Sequence, residues 1–260
     1  MIRNAKHKTI FLLGGYDLEM LTIREILEKK GLALKDNKLE WSSALLSNYK
    51  DIFTSDSEMY DCIYGIELSE DIAPPVNYKR IDHHNDMVHM PSSLEQIAGI
   101  IGVELNRFEQ LIAVNDSRFI PGLQSMGASE EEIDLIRRAD RNAQGVTEED
   151  ELLAQKSIQE NFRKEKDIAI IRSFGQKFSP ITDYMFDKEA RLLIYTDNKL
   201  CYYGPGTHTL SQHFKAMIQK KKAYTGGGEN GFFGIAENVL TPTEIENGLV
   251  DEIINLLSHG

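Results

Sequence analysis

Apolar positions along the chain fall into short runs separated by helical spacing, and this alternation predicts most of the elements. Thr9-Ile10-Phe11-Leu12-Leu13 is a five-residue run closed by Gly14-Gly15, and apolar residues then recur at Leu21, Ile23, Ile26 and Leu27. The pattern reads as strand, loop, helix. Two more strands follow, Cys62 to Leu68 and Tyr78 to Ile81, each ending in charged or polar residues. From Ser92 to about Phe162 the period is helical, with Ser92-Ser93 as a cap, then Phe108 to Val114, Glu130 to Asp140 and Thr147 to Phe162. Thr147-Glu148-Glu149-Asp150 has the spacing of a capping box. The charged stretch Arg163 to Asp167 is expected to end that helix. Strands resume at Ile168, with a hairpin around Asp197-Asn198, a helix from Ser211 to Lys222 and a glycine-rich loop from Tyr224 to Gly234. Strands alternating with helices imply an α/β fold with a parallel sheet, and ligands then bind at the carboxyl ends of the strands. Two domains are expected, residues 1–163 and 168–260.

Composition narrows the classes. With 260 residues there is chain enough for one large or two ordinary domains. No apolar run approaches the roughly 20 residues that cross a bilayer, and the N-terminal residues lack a long hydrophobic region, so a cytoplasmic protein without membrane partners is expected. Cys62 and Cys201 stand far apart, outside any zinc or disulfide spacing, and read as small apolar residues. The net charge of -12, from 41 acidic and 29 basic side chains, argues against holding long duplex nucleic acid by general phosphate attraction. Carboxylates can still serve a phosphate-bearing ligand by holding cations that reverse the local field.

Carboxylates collect where such a site belongs. Ile81-Asp82-His83-His84-Asn85 sets a carboxylate and two imidazoles at a strand end, a donor mixture suited to Mn, Fe, Co or Zn. Alone the tripeptide also fits a polar loop. Asp17 and Glu19 follow the first strand, Asp61 opens the second and Glu67 closes it, and Asp116 lies in Val114-Asn115-Asp116-Ser117-Arg118. Read singly, Asp17 and Asp116 fit a helix cap or a turn. A two-cation site needs several such carboxylates converging from separate elements.

The chain resembles the DHH phosphoesterase family, through Asp82-His83-His84, through Asp116-Ser117 as the later acidic motif, and through Gly226-Gly227-Gly228-Glu229-Asn230-Gly231-Phe232-Phe233-Gly234, which keeps the glycine spacing of the family's C-terminal motif. The resemblance spans nearly the whole chain. It implies an N-terminal parallel-sheet DHH domain, a smaller α/β C-terminal domain of the DHHA1 kind, and an active site in the cleft between them. It further implies hydrolysis of a small nucleotide-like or short-oligonucleotide substrate with two divalent cations, usually Mn, with Mg, Co or Fe also compatible. Homodimerisation is common in such folds. Carried over by position, Asp17, Glu19, Glu67, Asp82, His83 and Asp116 would be metal ligands, with Glu67 preferred over Asp61. Asp82 and His84 would act on the phosphate, and Gly226, Gly227, Gly228, Glu229 and Asn230 would contact substrate; read from this sequence alone, Arg118, two residues after Asp116, could donate a bidentate pair to a phosphate, and His208 could face the substrate. Three positions depart from the family pattern: Leu13 and Glu229 stand where members carry histidine, and Glu19 where they carry aspartate. Two rival readings follow from those departures and from the substrate range: a nucleotide-binding or sensor protein with a decayed metal site, and a pyrophosphatase or polyphosphatase. The glycine-rich motif favours nucleotides over pyrophosphate.

Overall fold

A computed structural model describes residues 8–54, 60–226 and 231–258. The chain divides into two compact units between Gly145 and Val146.

The first unit is built on four parallel strands in the order β2-β1-β3-β4, namely β1 (Thr9–Leu13), β2 (Ala33–Asp36), β3 (Cys62–Ile66) and β4 (Tyr78–Ile81). Strand β2 is too short and too polar to have been predicted from its pattern. Helix α1 (Leu18–Lys29) returns the chain from β1 to β2 and buries Met20, Ile23, Ile26 and Leu27. The short α2 (Lys50–Thr54) precedes β3, and α3 (Ser93–Ile101), α4 (Arg107–Ser125) and α5 (Glu130–Ala143) follow β4. One face of the sheet packs with α1, α3, α4 and α5 in a core containing Phe11, Leu13, Ile66 and Ile81. The other face packs Ile10, Leu12 and Ile63 against Leu46, Tyr49 and Ile52. Side chains alternate along each strand, so both faces need apolar residues, and the strands read as unbroken runs.

Strand order reverses between β1 and β3, which opens a crevice at their carboxyl ends. Gly14 allows the close approach there: a Cβ on it would stand 2.5 and 2.7 Å from the carbonyl oxygens of Glu67 and Ile66. Helix α4 runs well beyond the predicted Val114, and is broken at Phe119 (φ 55°, ψ -154°) two residues before Pro121. Proline cannot supply a helical N–H and restricts the residue before it, which ends the regular helix.

The second unit carries a six-stranded mixed sheet ordered β5-β6-β7-β8-β10-β9, with β5 (Phe162–Glu165), β6 (Ile168–Arg172), β7 (Leu192–Tyr195), β8 (Leu200–Tyr203), β9 (Ala223–Gly226) and β10 (Phe232–Ile235). Only β6 and β7 pair in parallel. On one face lie α6 (Glu148–Asn161) and α7 (Ser179–Met185); on the other lie α8 (Thr207–His213), α9 (Lys215–Gln219), α10 (Pro242–Glu244) and α11 (Val250–Ser258), joined to α10 by a wide turn.

Three expectations change here. The boundary lies before α6 and not after it, because Ala154 and Ile158 pack with Ala169 and Ile171 of the second sheet. The Thr147 capping box with Asp150 is present, so a strong helix start marks the beginning of the second unit. The charged stretch after α6 is an exposed edge strand, β5, antiparallel to β6; charge on an edge strand guards against intermolecular pairing. The glycine-rich segment begins and ends as the β9–β10 hairpin, with 227–230 outside the described residues.

Candidate metal and active site

The carboxyl ends of β1, β3 and β4 and the middle of α4 bring four ligand-bearing side chains together. Strand β1 ends, the chain turns through Gly14-Gly15, and Asp17 caps α1 by accepting from the Met20 N–H at 2.8 Å. Glu19, in the first turn, points inward and is buried; its Oε1 accepts from the Leu94 N–H at 3.0 Å, in the first turn of α3. Glu67 follows β3 with φ 53°, a left-handed backbone that glutamate seldom adopts, and its Oε1 accepts from Ser93 Oγ at 2.7 Å. Strain of this kind, costing on the order of 1–3 kcal/mol, collects at functional sites. Here it aims the carboxylate.

His83 stands at the centre. Its Nε2 lies 2.6 Å from Asp116 Oδ2, 3.3 Å from Glu67 Oε1 and 3.5 Å from Glu19 Oε2. One ligand atom from each of Glu19, Glu67, His83 and Asp116 lies within 4.8 Å of every other, and a second group, Glu67, His83 and His84, shares two of these residues. Glu19 Oε2, His83 Nε2 and Asp116 Oδ2 are buried without a hydrogen bond; the 2.6 Å approach is an ion-pair distance lacking hydrogen-bond alignment. Buried polar atoms are almost always satisfied. Three orphaned atoms converging on one point, three carboxylates with one imidazole, fit a divalent cation of the Mn, Fe, Co or Zn kind.

The charges carry the same strain. Burial disfavours the His83 imidazolium, but the Asp116, Glu19 and Glu67 carboxylates outweigh it and push its pKa up to about 12. Burial, then the Asp116 and Glu67 charges, raises Asp17 to about 8. Burial likewise lifts Glu19 well above the usual carboxylate range, against the pull of His83. Such shifts collect at functional sites, and a cation would relieve all three.

Asp82 is turned elsewhere. Its Oδ2 pairs with Arg80 at 2.6 Å, and its Oδ1 accepts from the His84 N–H at 2.9 Å and faces His84 Nδ1 at 3.2 Å. Burial opposes ionisation of Asp82, yet the His84 N–H and the Arg80 guanidinium hold its carboxyl below the usual range. Asp82 therefore shapes the turn that presents His83. Asp17 and Asp82 thus lie beside the four-residue cluster, engaged with other partners, while His84 is 44% exposed at its edge. Asp61 accepts from the Lys8 N–H at the opposite end of β3, which leaves Glu67 as the residue at the site. Leu13 is buried in the core. Arg118 is exposed on α4, one residue before the break.

In the second unit, Gly226 ends β9 against the Phe232 ring, and His208 is exposed on α8; Gly227, Gly228, Glu229 and Asn230 lie outside the described residues. His89 and Lys220 to Lys222 are exposed. Sequence reading missed the supports: Ser93, read only as part of a cap, anchors Glu67, and Arg80, read only as strand, anchors Asp82. Arg80 lies in β4 two residues before Asp82, which follows the strand's end, and that spacing was an available signal.

No family model matches the chain, and no curated protein matches it. Its fold does match solved structures. A pGpG-specific phosphodiesterase, PggH, from Vibrio cholerae aligns over 98% of this chain and 100% of its own, with a TM-score of 0.51 and 10% identity. RecJ from Thermus thermophilus in complex with Mn2+ aligns over 97% of this chain and 52% of its own, at a TM-score of 0.47 and 10% identity. The DHH domain of a member of the s1p family of ribosomal proteins aligns over 97% and 87%, at 0.46 and 10%. The chain shares the fold of the first of these.

Proposed function

We propose that the chain is a divergent DHH-type phosphoesterase that uses divalent cations to hydrolyse a small nucleotide-like or short-oligonucleotide substrate. The observation that carries this reading is the convergence of Glu19, Glu67, His83 and Asp116, with three orphaned ligand atoms, at the carboxyl ends of a parallel sheet. The fold shared with a protein named as a pGpG-specific phosphodiesterase supports it. Cations held by these four residues, Mn foremost, would acidify water and offset phosphoryl charge. Glu67 and His83 belong to both donor groups; the Glu67 carboxylate, with two oxygens, could serve two cations, and the His83 imidazole one of them. Around them the protein's own groups do the orienting. Asp82 and Ser93 fix His83 and Glu67, and His84, exposed at the edge, donates to a phosphate oxygen. Arg118, exposed beyond Asp116, offers a bidentate contact to the same group. The departures from the family pattern do not remove the site: Glu19 reaches the cluster with its extra methylene, and no histidine at position 13 is needed to complete four donors.

The test is Mn binding to metal-stripped protein by calorimetry, with hydrolysis of bis-p-nitrophenyl phosphate alongside. Saturable Mn binding and Mn-dependent turnover are expected, and His83→Ala should lose both; forfeiting several kcal/mol of transition-state stabilisation lowers kcat/KM on the order of a thousandfold. Absence of both Mn binding and turnover in the unaltered chain would leave a non-catalytic binding protein.

A further inference from the structure

Trp41 is the sole tryptophan of the chain, and it stands at the rim of the site, the residue 46% exposed. It opens a short 3-10 turn, Trp41–Ser43, after β2. Two contacts hold its inner side. The indole meets the His84 ring edge-on, with centroids 5.9 Å apart and planes 64° apart. It also covers Gly15, whose φ is +69°: a Cβ there would come within 2.6 Å of the indole, so Gly15 leaves the ring room to lie down over the loop between β1 and α1. His84 in turn lies 4.2 Å, centroid to centroid, from His83. A path of rings therefore leads from the cation cluster through His83 and His84 to Trp41 and into solvent.

We propose that Trp41 is the platform on which the nucleobase of the substrate stacks, while the phosphate occupies the cluster of Glu19, Glu67, His83 and Asp116. The assignment rests on the phosphoesterase reading above and names what that site recognises beyond a phosphate. Three features point to a base. A half-exposed indole backed by Gly15 and met by His84 still leaves apolar surface in water, which a flat group can cover. A chain with net charge -12 gains little from general attraction to a nucleotide, so affinity must come from cations at one end of the ligand and from stacking at the other. Stacking on an aromatic side chain is tolerant of base identity, so it accounts for nucleotide selectivity while leaving the choice among bases to other contacts.

Because the chain has one tryptophan, its emission reports on this position alone. The unaltered protein in the presence of Mn is titrated with GMP and, in parallel, with ribose 5-phosphate, which has the sugar and phosphate without the base. Saturable quenching by GMP and none by ribose 5-phosphate is expected. By calorimetry Trp41→Ala should weaken GMP about tenfold, equivalent to about 1.4 kcal/mol, and Trp41→Phe, which keeps a stacking ring and guards against a folding defect, less than about threefold. Against a hydrolysable dinucleotide, Trp41→Ala should raise KM by a similar factor with a much smaller fall in kcat. Equal quenching by both ligands, no quenching by either, or GMP affinity retained in Trp41→Ala would overturn the platform. A chain that hydrolyses bis-p-nitrophenyl phosphate yet shows no GMP-specific response keeps the phosphoesterase and loses Trp41; one that stacks GMP without turnover keeps Trp41 and loses the catalysis.

Discussion

The carboxyl end of the first sheet and the interior of the second are built from similar apolar strands and serve opposite ends. In the second unit, β6, β7, β8 and β10 are buried almost throughout, with Ile170, Leu193, Tyr202 and Phe233 packed on one face and Ala169, Ile171 and Ile194 on the other. Among the described residues of the second unit, no charged side chain is buried. In the first unit the same kind of strands, β1, β3 and β4, end in Glu67, Asp82 and His83, all buried, with buried Glu19 and partly buried Asp116 packed against them. Carboxylates brought together out of water repel one another and lose hydration, and the left-handed Glu67 adds backbone strain. One unit spends its packing on stability alone; the other holds a destabilised arrangement that a cation would relieve.

The largest effect that tests this contrast is in the second unit. Phe233 is fully buried in its core, stacked on Phe214 at 5.0 Å, so Phe233→Ala should cost about 3–5 kcal/mol in urea unfolding. Mn affinity of the folded protein should stay within about twofold; a large loss would show that the two regions are not separable as drawn. Next is Asp82→Asn, which keeps an acceptor for the His84 N–H but weakens the pairing with Arg80. Loosening a group that orients a ligand typically costs 10–100-fold in metal affinity, and about tenfold is expected by calorimetry, with little change in stability. An unchanged affinity would remove Asp82 from the support of His83.

The smallest effect is the sharpest test of the destabilised arrangement. Glu19→Gln retains an acceptor for the Leu94 N–H and removes a buried carboxyl that must either ionise out of water or hold its proton against its ordinary pKa, so it should stabilise the chelated protein by about 0.5–2 kcal/mol while weakening Mn binding. The same logic gives a pH dependence. Between its ordinary 3.8 and about 8, the Asp17 carboxyl of the folded chain keeps a proton that the unfolded chain has released. Folded chain then binds more protons than unfolded, and stability falls as pH rises through that window. His83, raised from 6.5 to about 12, works in the same direction above neutrality. Melting of chelated protein should therefore drop from about pH 5 to about pH 8, and added Mn should recover most of it at the upper end. A flat profile would deny that buried like charges set the stability of this end of the sheet.

The strands β1, β3 and β4, helix α1 and the capped helices α3, α5 and α6 are each written in local pattern: apolar period, a capping serine or threonine, glycine where the chain turns. So were the site's raw materials, since Asp17, Glu19, Glu67, Asp82 and His83 are acidic or imidazole groups placed at element ends, and Asp116 adds a carboxylate from the middle of α4. Their division of labour was not. Whether Asp17 caps or ligates, whether Asp82 faces a cation or Arg80, and whether Glu67 or Asp61 stands at the site depend on which end of a strand and which side of a turn each carboxylate occupies. Where each carboxylate stands follows from the parallel register of β1, β3 and β4 and from hydrogen bonds between residues far apart, Leu94 to Glu19 and Ser93 to Glu67. The boundary between the units was hidden for a related reason: α6 has no local mark saying which sheet it will cover, and only the burial of Ala154 against Ala169 and Ile171 assigns it. Trp41 is the extreme case. Nothing in its neighbourhood along the chain distinguishes it, and it gains meaning only because the fold lays its ring against His84, far along the chain. Sequence determined the elements and the inventory of chemical groups, because periodicity and capping act over a few residues; tertiary structure decided which groups meet, because convergence is a property of register and packing across the whole sheet.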